Sequence, residues 1–251
     1  MTKLKNKVAV VTGASKGIGA AIARHFAAAG AKVVVNYASG KEDAEKVVKA
    51  ITDSGGTAIP VQGDVSKAAG ITGLFEETKN AFGGLDILVN NAGIYEYQPI
   101  EQVSEEAFHR QFNVNVLGSL LAIQASLKLF GEKGGNIINI SSEAGKMPLP
   151  TGSVYSATKA ALDTITIALS KEFSGRNIRI NSILPGVVET EGSRSAGFIG
   201  SDAEARLVAS TPLGRTGQPE DIAKVAVFLA SDDAAWITGE KISVSGGIYG
   251  L

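Results

Sequence analysis

The sequence predicts an α/β protein: a doubly wound parallel sheet of about seven strands with helices on both faces. Three observations predict it. Short runs rich in β-branched residues alternate with longer amphipathic stretches along all 251 residues. Several of those runs are apolar throughout rather than alternating, as a parallel strand covered on both faces requires. Thirty glycines against seven prolines suit many tight strand-to-helix turns rather than a disordered linker.

In chain order, the first strand is read in KVAVVT (7–12), followed by a glycine turn and by AAIARHFAAAG (20–30), which is strongly helical. KVVVNY (32–37), TAIPV (57–61), LDILVNN (85–91), NIINIS (136–141), IRINSI (178–183) and KISVSG (241–246) supply the other strands, with helical patterns between them. Such repeated strand–helix–strand units close by right-handed crossovers. Small and apolar residues over 153–171 have the spacing of a buried helix. Residues 186–213 differ, being rich in Gly and Ser with weak periodicity. They follow the sixth strand at its carboxyl end, where open α/β sheets bind ligands. That stretch reads either as a lid over a substrate or as an ordinary excursion containing one short helix. No composition break or polar linker divides the chain, so one domain over 1–251 is expected, with 186–213 as its lid region.

Composition narrows the function. With 24 basic and 25 acidic residues and only a short Lys-rich start, nothing suggests a nucleic-acid or anionic-membrane surface, and a small ligand is expected. There is no cysteine, which excludes disulfides, thiolate catalysis and thiolate metal sites; the two histidines, His25 and His109, are far apart in sequence, so no metal is expected. The first apolar run is too short for a signal segment and no run approaches a membrane span, so a cytoplasmic protein is expected.

Between the first strand and the first helix lies Thr12-Gly13-Ala14-Ser15-Lys16-Gly17-Ile18-Gly19. Gly13 permits the sharp turn, Gly17 lets backbone approach a pyrophosphate, and Gly19 lets the helix pack tightly while its N-terminus faces the anion. The spacing is G-x-x-x-G-x-G rather than the commoner G-x-G-x-x-G, and its place between strand and helix supports a nucleotide. At the end of the second strand, where NAD sites carry a carboxylate for the ribose 2′-hydroxyl, stand Asn36, Tyr37, Ala38 and Ser39. Nothing there repels a 2′-phosphate, and Lys16 and Ser39 offer it a cation and a hydroxyl, so NADP(H) is the expected cofactor. The alternative for Lys16 is a simply solvated side chain.

Tyr155 and Lys159 are four residues apart, thirteen residues beyond Ser142. On a helix they share a face, presenting phenol and ammonium side by side. A phenol with a pKa near ~10 is a poor acid or base at neutral pH, and a nearby cation lowers that value. Tyr155 could then exchange a proton with a substrate oxygen. Taken alone, the pair equally describes an aromatic edge packed beside a solvated lysine.

Glycine turn, Asn-Asn-Ala-Gly (90–93) and Tyr-x-x-x-Lys occur in order, and the chain thereby resembles the classical short-chain dehydrogenase/reductase family over nearly its whole length. The resemblance implies a Rossmann-type fold and a catalytic tetrad of Asn115, Ser142, Tyr155 and Lys159, with Asn113 and Ser141 as near decoys. It implies cofactor contacts from the glycine turn (Gly13, Ser15, Lys16, Gly17, Ile18 and Gly19), from Asn36 to Ser39 and from Asp64 and Val65. Asn91, Ala92, Gly93, Tyr155, Lys159, Pro185, Gly186, Val188 and Thr190 complete that set. Asp64 could otherwise be a turn or helix-capping residue, and Asn-Asn-Ala-Gly a plain turn. Implied roles are a proton from Tyr155, oxyanion stabilisation by Ser142 and Tyr155, depression of the tyrosine pKa and ribose binding by Lys159, and a proton-relaying water held by Asn115.

NYAS (36–39), PGVVET (185–190), GQPEDIA (217–223) and WITGEKISVSGG (236–247) look closest to 3-oxoacyl-acyl-carrier-protein reductases. Glucose dehydrogenases and broad ketone reductases share most of these segments. The implied activity is NADPH-dependent reduction of a ketone or 3-oxoacyl carbonyl to an alcohol. Alternatives are a glucose or polyol dehydrogenase and, more distantly, a non-catalytic NADP-binding regulator, although regulators commonly lose the tyrosine or lysine. Enoyl reductases of the superfamily space that pair more widely. Ser142, Glu143, Leu149, Tyr155 and Gly186 are the expected substrate contacts, with Val154, Tyr95, Tyr97 and residues 192–198 around them. An acidic acyl-carrier protein would need basic residues at the entrance, for which Lys133 and Arg176 are candidates. The family is often tetrameric, implying a homotetramer that buries the apolar tail (241–251).

Overall fold

The computed structural model describes residues 2–195 and 197–248. Seven strands form one sheet in the order β3-β2-β1-β4-β5-β6-β7. They are β1 (Val8–Val11), β2 (Lys32–Tyr37), β3 (Thr57–Gln62), β4 (Ile87–Asn90), β5 (Gly135–Ile140), β6 (Ile178–Pro185) and β7 (Lys241–Val244), and every neighbouring pair is parallel. Each run expected to be a strand is one.

Period-two alternation sends side chains to two cores. From β1, Ala9 and Val11 enter one core while Val8 and Val10 enter the other; on β2, Val33 and Val35 oppose Val34. Helices α1 (Gly17–Ala28), α2 (Lys41–Asp53) and α9 (Pro219–Ala230) cover the first face through residues such as Phe26, Ile51 and Ile222. The second face is covered by α3 (Ala68–Phe82), α5 (Gly118–Ser126) and α6 (Ser153–Glu172), with Phe75, Ile123 and Leu169. Burial of β1 and β4 on both sides explains why the central strands read as continuous apolar runs, while the edge strands β3 and β7 are partly exposed.

Strand order reverses between β1 and β4, both of which start from the centre of the sheet, and the crevice beyond their carboxyl ends is where such folds bind ligands. Between α4 (Glu105–Phe112) and α5 the chain widens into a π-helical turn, Asn113–Leu117, a form that recurs at functional sites. Beyond β6 lie two short helices where the sequence suggested at most one, α7 (Glu191–Ser195) and α8 (Asp202–Ala209). The second is started by Ser201, whose hydroxyl accepts from the Glu204 amide while the Glu204 carboxylate accepts from Gly200 N. Of the apolar tail, residues 249–251 lie outside the described residues, as does residue 196 of the suggested lid.

Candidate active site

The glycine turn is held from three directions. Gly13 adopts φ +60°, and a Cβ there would lie 2.9 Å from Ala92 Cα, so only glycine lets the turn pass under the loop after β4. Thr12 Oγ1 accepts from the amides of Asn91 and Ala92, each at 3.0 Å, and Asn91 Nδ2 donates to the carbonyls of Thr12 and Gly13. Asn-Asn-Ala-Gly is thus the clamp that shapes the turn. Gly19 does not face the cavity; a Cβ there would come within 2.6 Å of Gly13 O, so its role is the close packing expected of it. Asn36, expected among the cofactor contacts, spends its side chain on structure. Its Oδ1 accepts from Gly13 N at 3.2 Å, and its Nδ2 donates to the carbonyls of Val61 and Gly63. Asp64 caps its own turn through Ser66 N and Oγ while still bordering the cavity.

Helix α1 begins without a side-chain cap and without an acidic residue in its first turn. The anion its N-terminus attracts comes from 174 residues away: Glu191 Oε2 accepts from Gly17 N at 2.9 Å. No local pattern announces that contact. It shows that the turn presents an N–H to a carboxylate, as a pyrophosphate site must.

The four tetrad residues converge at the carboxyl ends of β4 and β5 and the start of α6. Ser142, just past β5, accepts from Ala144 N at 3.1 Å and hydrogen-bonds the Tyr155 phenol. Tyr155 is flanked by Tyr95 edge-on at 6.1 Å and Tyr97 at 5.9 Å between ring centroids. Lys159 is 5% exposed; its Nζ sits over the Tyr155 ring, 5.7 Å from the centroid, and donates to Ile140 O at 2.9 Å. Burial draws the Lys159 ammonium down to about 8, opposed by the charge of Asp163.

The tyrosine departs from expectation. Burial pushes the Tyr155 phenol above its ordinary value, with the Ser142 hydrogen bond opposing. The physical reason is that the ammonium faces the ring and a main-chain carbonyl, so desolvation of the phenolate outweighs any depression by Lys159.

Asn115 has a bracing role that the resemblance did not imply. Both amide hydrogens are committed, Nδ2 donating to Ile94 O at 2.8 Å and to Thr158 Oγ1 at 3.0 Å, while Oδ1 accepts from Ile94 N. It braces the loop after β4 against α6 at the π-helical turn. Its Oδ1 and Lys159 Nζ both border the space beside Gly93, 3.4 and 3.5 Å from where a Cβ there would sit. Of the decoys, Asn113 is exposed and Ser141 turns away, donating to Lys159 O at 3.2 Å.

One cavity of about 860 Å³ joins the glycine turn to Ser142, Tyr155 and Lys159. All other residues expected at the cofactor border it, among them Ser15, Lys16, Ile18, Tyr37, Ala38 and Ser39 at one end and Val65, Gly93, Pro185, Gly186, Val188 and Thr190 toward the other. Lys16 is exposed and makes no ion pair among the described residues. Asp43, which sequence reasoning missed, borders the same end, but its carboxylate is turned to Lys46 at 3.0 Å. Tyr95, Tyr97, Leu149, Gly192, Phe198 and Leu207 form an apolar mouth, whereas Val154 stands outside the lining.

Glu143 borders the cavity but is 1% exposed, with both carboxylate oxygens sealed and unpartnered. It therefore does not present a carboxylate to a substrate in this conformation. The basic residues suggested for an acyl-carrier protein are in the wrong place. Lys133 precedes β5 and Arg176 precedes β6, so both lie at the amino ends of the strands, opposite the site.

A crevice at a topological switch point, a glycine turn feeding an uncapped helix N-terminus, and a Ser–Tyr–Lys cluster at its far end define a dinucleotide-dependent oxidoreductase. A family model described as "Enoyl-(Acyl carrier protein) reductase" matches residues 13–249. An uncharacterized oxidoreductase of Methylorubrum extorquens is 59% identical over 99% of this chain and 100% of its own length. A 3beta-hydroxysteroid dehydrogenase of Eggerthella lenta is 41% identical, covering 98% of this chain and 94% of that one. Among solved structures, an angucycline C-6 ketoreductase with bound NADP superimposes with a TM-score of 0.92 at 38% identity, covering 98% of this chain and 96% of that one. The chain belongs to the short-chain dehydrogenase/reductase family.

Proposed function

We propose that the protein is an NADPH-dependent ketone reductase in which Tyr155 gives the proton to the carbonyl oxygen. The observation that carries this reading is the single cavity that places the Ser142–Tyr155 pair at one end and the glycine turn at the other. The turn fits a dinucleotide: Gly13, Ser15, Lys16 and Gly17 border the cavity, and Gly17 N–H already holds a carboxylate. Gly13, Gly17, Ser15 and Lys16 would hold the phosphates, and Lys159 the nicotinamide ribose. The bound dinucleotide supplies a hydride.

The chain's own residues do the rest. Burial keeps the Tyr155 phenol protonated at neutral pH, the form that donates to an oxygen gaining negative charge. Ser142 and Tyr155 offer two hydroxyls to that oxygen in a site walled by Tyr95, Tyr97 and Leu149, where such hydrogen bonds act at low dielectric. NADP is favoured over NAD by Lys16, which makes no ion pair among the described residues, by Ser39, and by the absence of a carboxylate at positions 36–39. The ketoreductase with bound NADP is consistent with that preference.

The four-residue spacing of Tyr155 and Lys159 favours carbonyl over enoyl reduction. The tyrosine-lined mouth favours a ring-containing ketone over an acyl-carrier thioester, since Lys133 and Arg176 are at the far end of the sheet. Oxidation of NADPH and NADH is to be followed with tetralones, cyclohexanones, acetoacetyl thioesters and, in reverse, glucose. NADPH-dependent turnover of the ring ketones is expected. Turnover confined to NADH, or no carbonyl reduction beside active glucose oxidation, overturns the reading.

A further inference from the structure

Beneath the tetrad, buried polar side chains continue through the sheet. Asn90 on β4 donates to Asn139 Oδ1 on β5 at 2.9 Å, and Asn139 Nδ2 donates to Thr166 Oγ1 on α6 at 2.9 Å. Thr166 Oγ1 is 2.8 Å from Ser182 Oγ on β6. The Ser182 and Ser141 hydroxyls both face the carboxyl of Asp163, and the Ser141 hydroxyl, with one hydrogen to give, also lies 3.2 Å from the main-chain carbonyl of Lys159. Every member is at most 5% exposed.

With Asp163 ionised, the hydrogens run one way, from Asn90 through Asn139, Thr166 and Ser182 to the carboxylate, once the Thr166 hydroxyl turns from Leu162 O, 3.0 Å away, to Ser182. Such an aligned chain strengthens each of its bonds. Asp163 lies one turn beyond Lys159 on the same face of α6, and its Oδ1 has no partner. Aspartate is a poor residue for a helix interior, and a buried carboxylate costs several kcal/mol unless compensated. An apolar residue would fill the place without that cost, so the carboxylate points to a use.

We propose that Asp163 is a positioning residue of the active site: a buried anion, held by the hydrogen-bonded chain from β4, β5 and β6, that keeps Lys159 protonated beneath Tyr155. For the role of Lys159 in turnover this rests on the reductase reading; for its charge it does not. The surrounding titratable groups are few. Tyr155 and Asp163 share the helix with Lys159, and Glu143 lies on the short turn packed against it. Lys146 on that turn directs its ammonium to Ser243, and Lys241 on β7 acts on Asp163. Of these, Asp163 is the group whose charge raises the Lys159 pKa against the burial that draws it down to about 8. Burial likewise raises the Asp163 carboxyl, opposed by Ser141, Ser182, Lys241 and Lys159.

The test is Asp163→Asn in full-length protein labelled at the lysine ε-carbons, with Lys159→Met identifying the signal. Loss of a nearby opposite charge is expected to lower the Lys159 midpoint by about one unit. The alkaline limb of ketone reduction should move with it. The variant would then be about fivefold slower than the parent near pH 8 and close to parental activity near pH 6, a rescue that mere structural damage would not give. An unmoved Lys159 midpoint in folded Asp163→Asn overturns the proposal. A shifted midpoint in a protein that reduces no ketone leaves the proposal standing and removes the reductase reading instead. Should Asp163→Asn not fold, Asp163→Leu, which removes the carboxyl together with its desolvation cost, is read in the same way. In the parent protein the Asp163 carboxyl must itself be ionised at about pH 7; a carboxyl-carbon signal showing it protonated there overturns the proposal whatever the variants do.

Discussion

Replacing Tyr155 by Phe removes one oxygen and leaves the ring. The ring is held by Tyr95 and Tyr97 at 6.1 and 5.9 Å and by the ammonium of Lys159 at 5.7 Å, none of which needs the hydroxyl. What is lost is the hydrogen bond to Ser142 and the proton donor. A net hydrogen bond is worth about 0.5–1.5 kcal/mol, and the buried hydroxyl no longer has to be desolvated, so the melting temperature should move by less than about 4 °C. The barrier is another matter. A positioned acid contributes about 10²–10⁴-fold, roughly 3–5 kcal/mol, and here the same hydroxyl also serves the developing oxyanion. The assay follows NADPH absorbance with a saturating ring ketone, beside fluorescence titration of NADPH binding to the resting protein. kcat should fall at least a hundredfold while Kd for NADPH stays within about threefold, because the glycine turn that holds the phosphates is untouched. A variant retaining a tenth or more of parental kcat would refute the assignment of Tyr155 as the acid; parallel collapse of cofactor affinity would refute the separation of the two ends of the cavity.

Glu191→Gln withdraws the carboxylate that sits on Gly17 N–H and competes with a pyrophosphate for it. A charge at a helix N-terminus is worth about 0.3–1 kcal/mol, so NADPH should bind about two- to fivefold tighter by calorimetry; weaker binding would mean that Glu191 supports the cofactor rather than displacing it. Glu143→Leu removes a sealed carboxylate with two unpartnered oxygens, and urea unfolding should show a gain of about 1–3 kcal/mol, with a loss of stability counting against the burial argument. Because burial raises the Tyr155 phenol, alcohol oxidation, which needs the phenolate as base, should climb as pH rises through the alkaline range while ketone reduction does not; an oxidation rate flat from neutral to alkaline pH would contradict that direction.

The sheet was legible because a parallel strand covered on both faces is apolar at every position, a signal confined to a few consecutive residues. VAVV and the ILV of LDILVNN carry it without help from the rest of the chain, and β1 and β4 fall on them. The glycine turn was legible for a similar reason, since Gly13 is required by a local φ of +60°. The π-helical turn at Asn113–Leu117 was not, because NVNVLGS has no periodicity that distinguishes a widened turn from an ordinary helix; what fixes it is Asn115 reaching Ile94 and Thr158, two partners set by the fold. The commitment of Asn36 to Gly13, Val61 and Gly63, and of Glu191 to Gly17, belongs to the same class. Each is a hydrogen bond between segments that only the crossovers bring together.

Lys133 and Arg176 show a different kind of miss, since the sequence did contain what was needed. In a parallel sheet every residue just before a strand lies at one edge of the molecule and every residue just after it at the other. Lys133 precedes NIINIS and Arg176 precedes IRINSI, while Ser142 follows the former and Gly186 the latter. Strand direction alone therefore separates the two cations from Ser142 by the length of β5, about 20 Å at 3.3 Å per residue. Any acidic partner recognised by Lys133 and Arg176 would sit at the amino edge, too far for its cargo to meet Tyr155 without a long tether. The cavity mouth is instead lined by Tyr95, Tyr97, Leu149 and Phe198, an apolar and aromatic surface of the kind that the proposed reduction of a free ring ketone calls for.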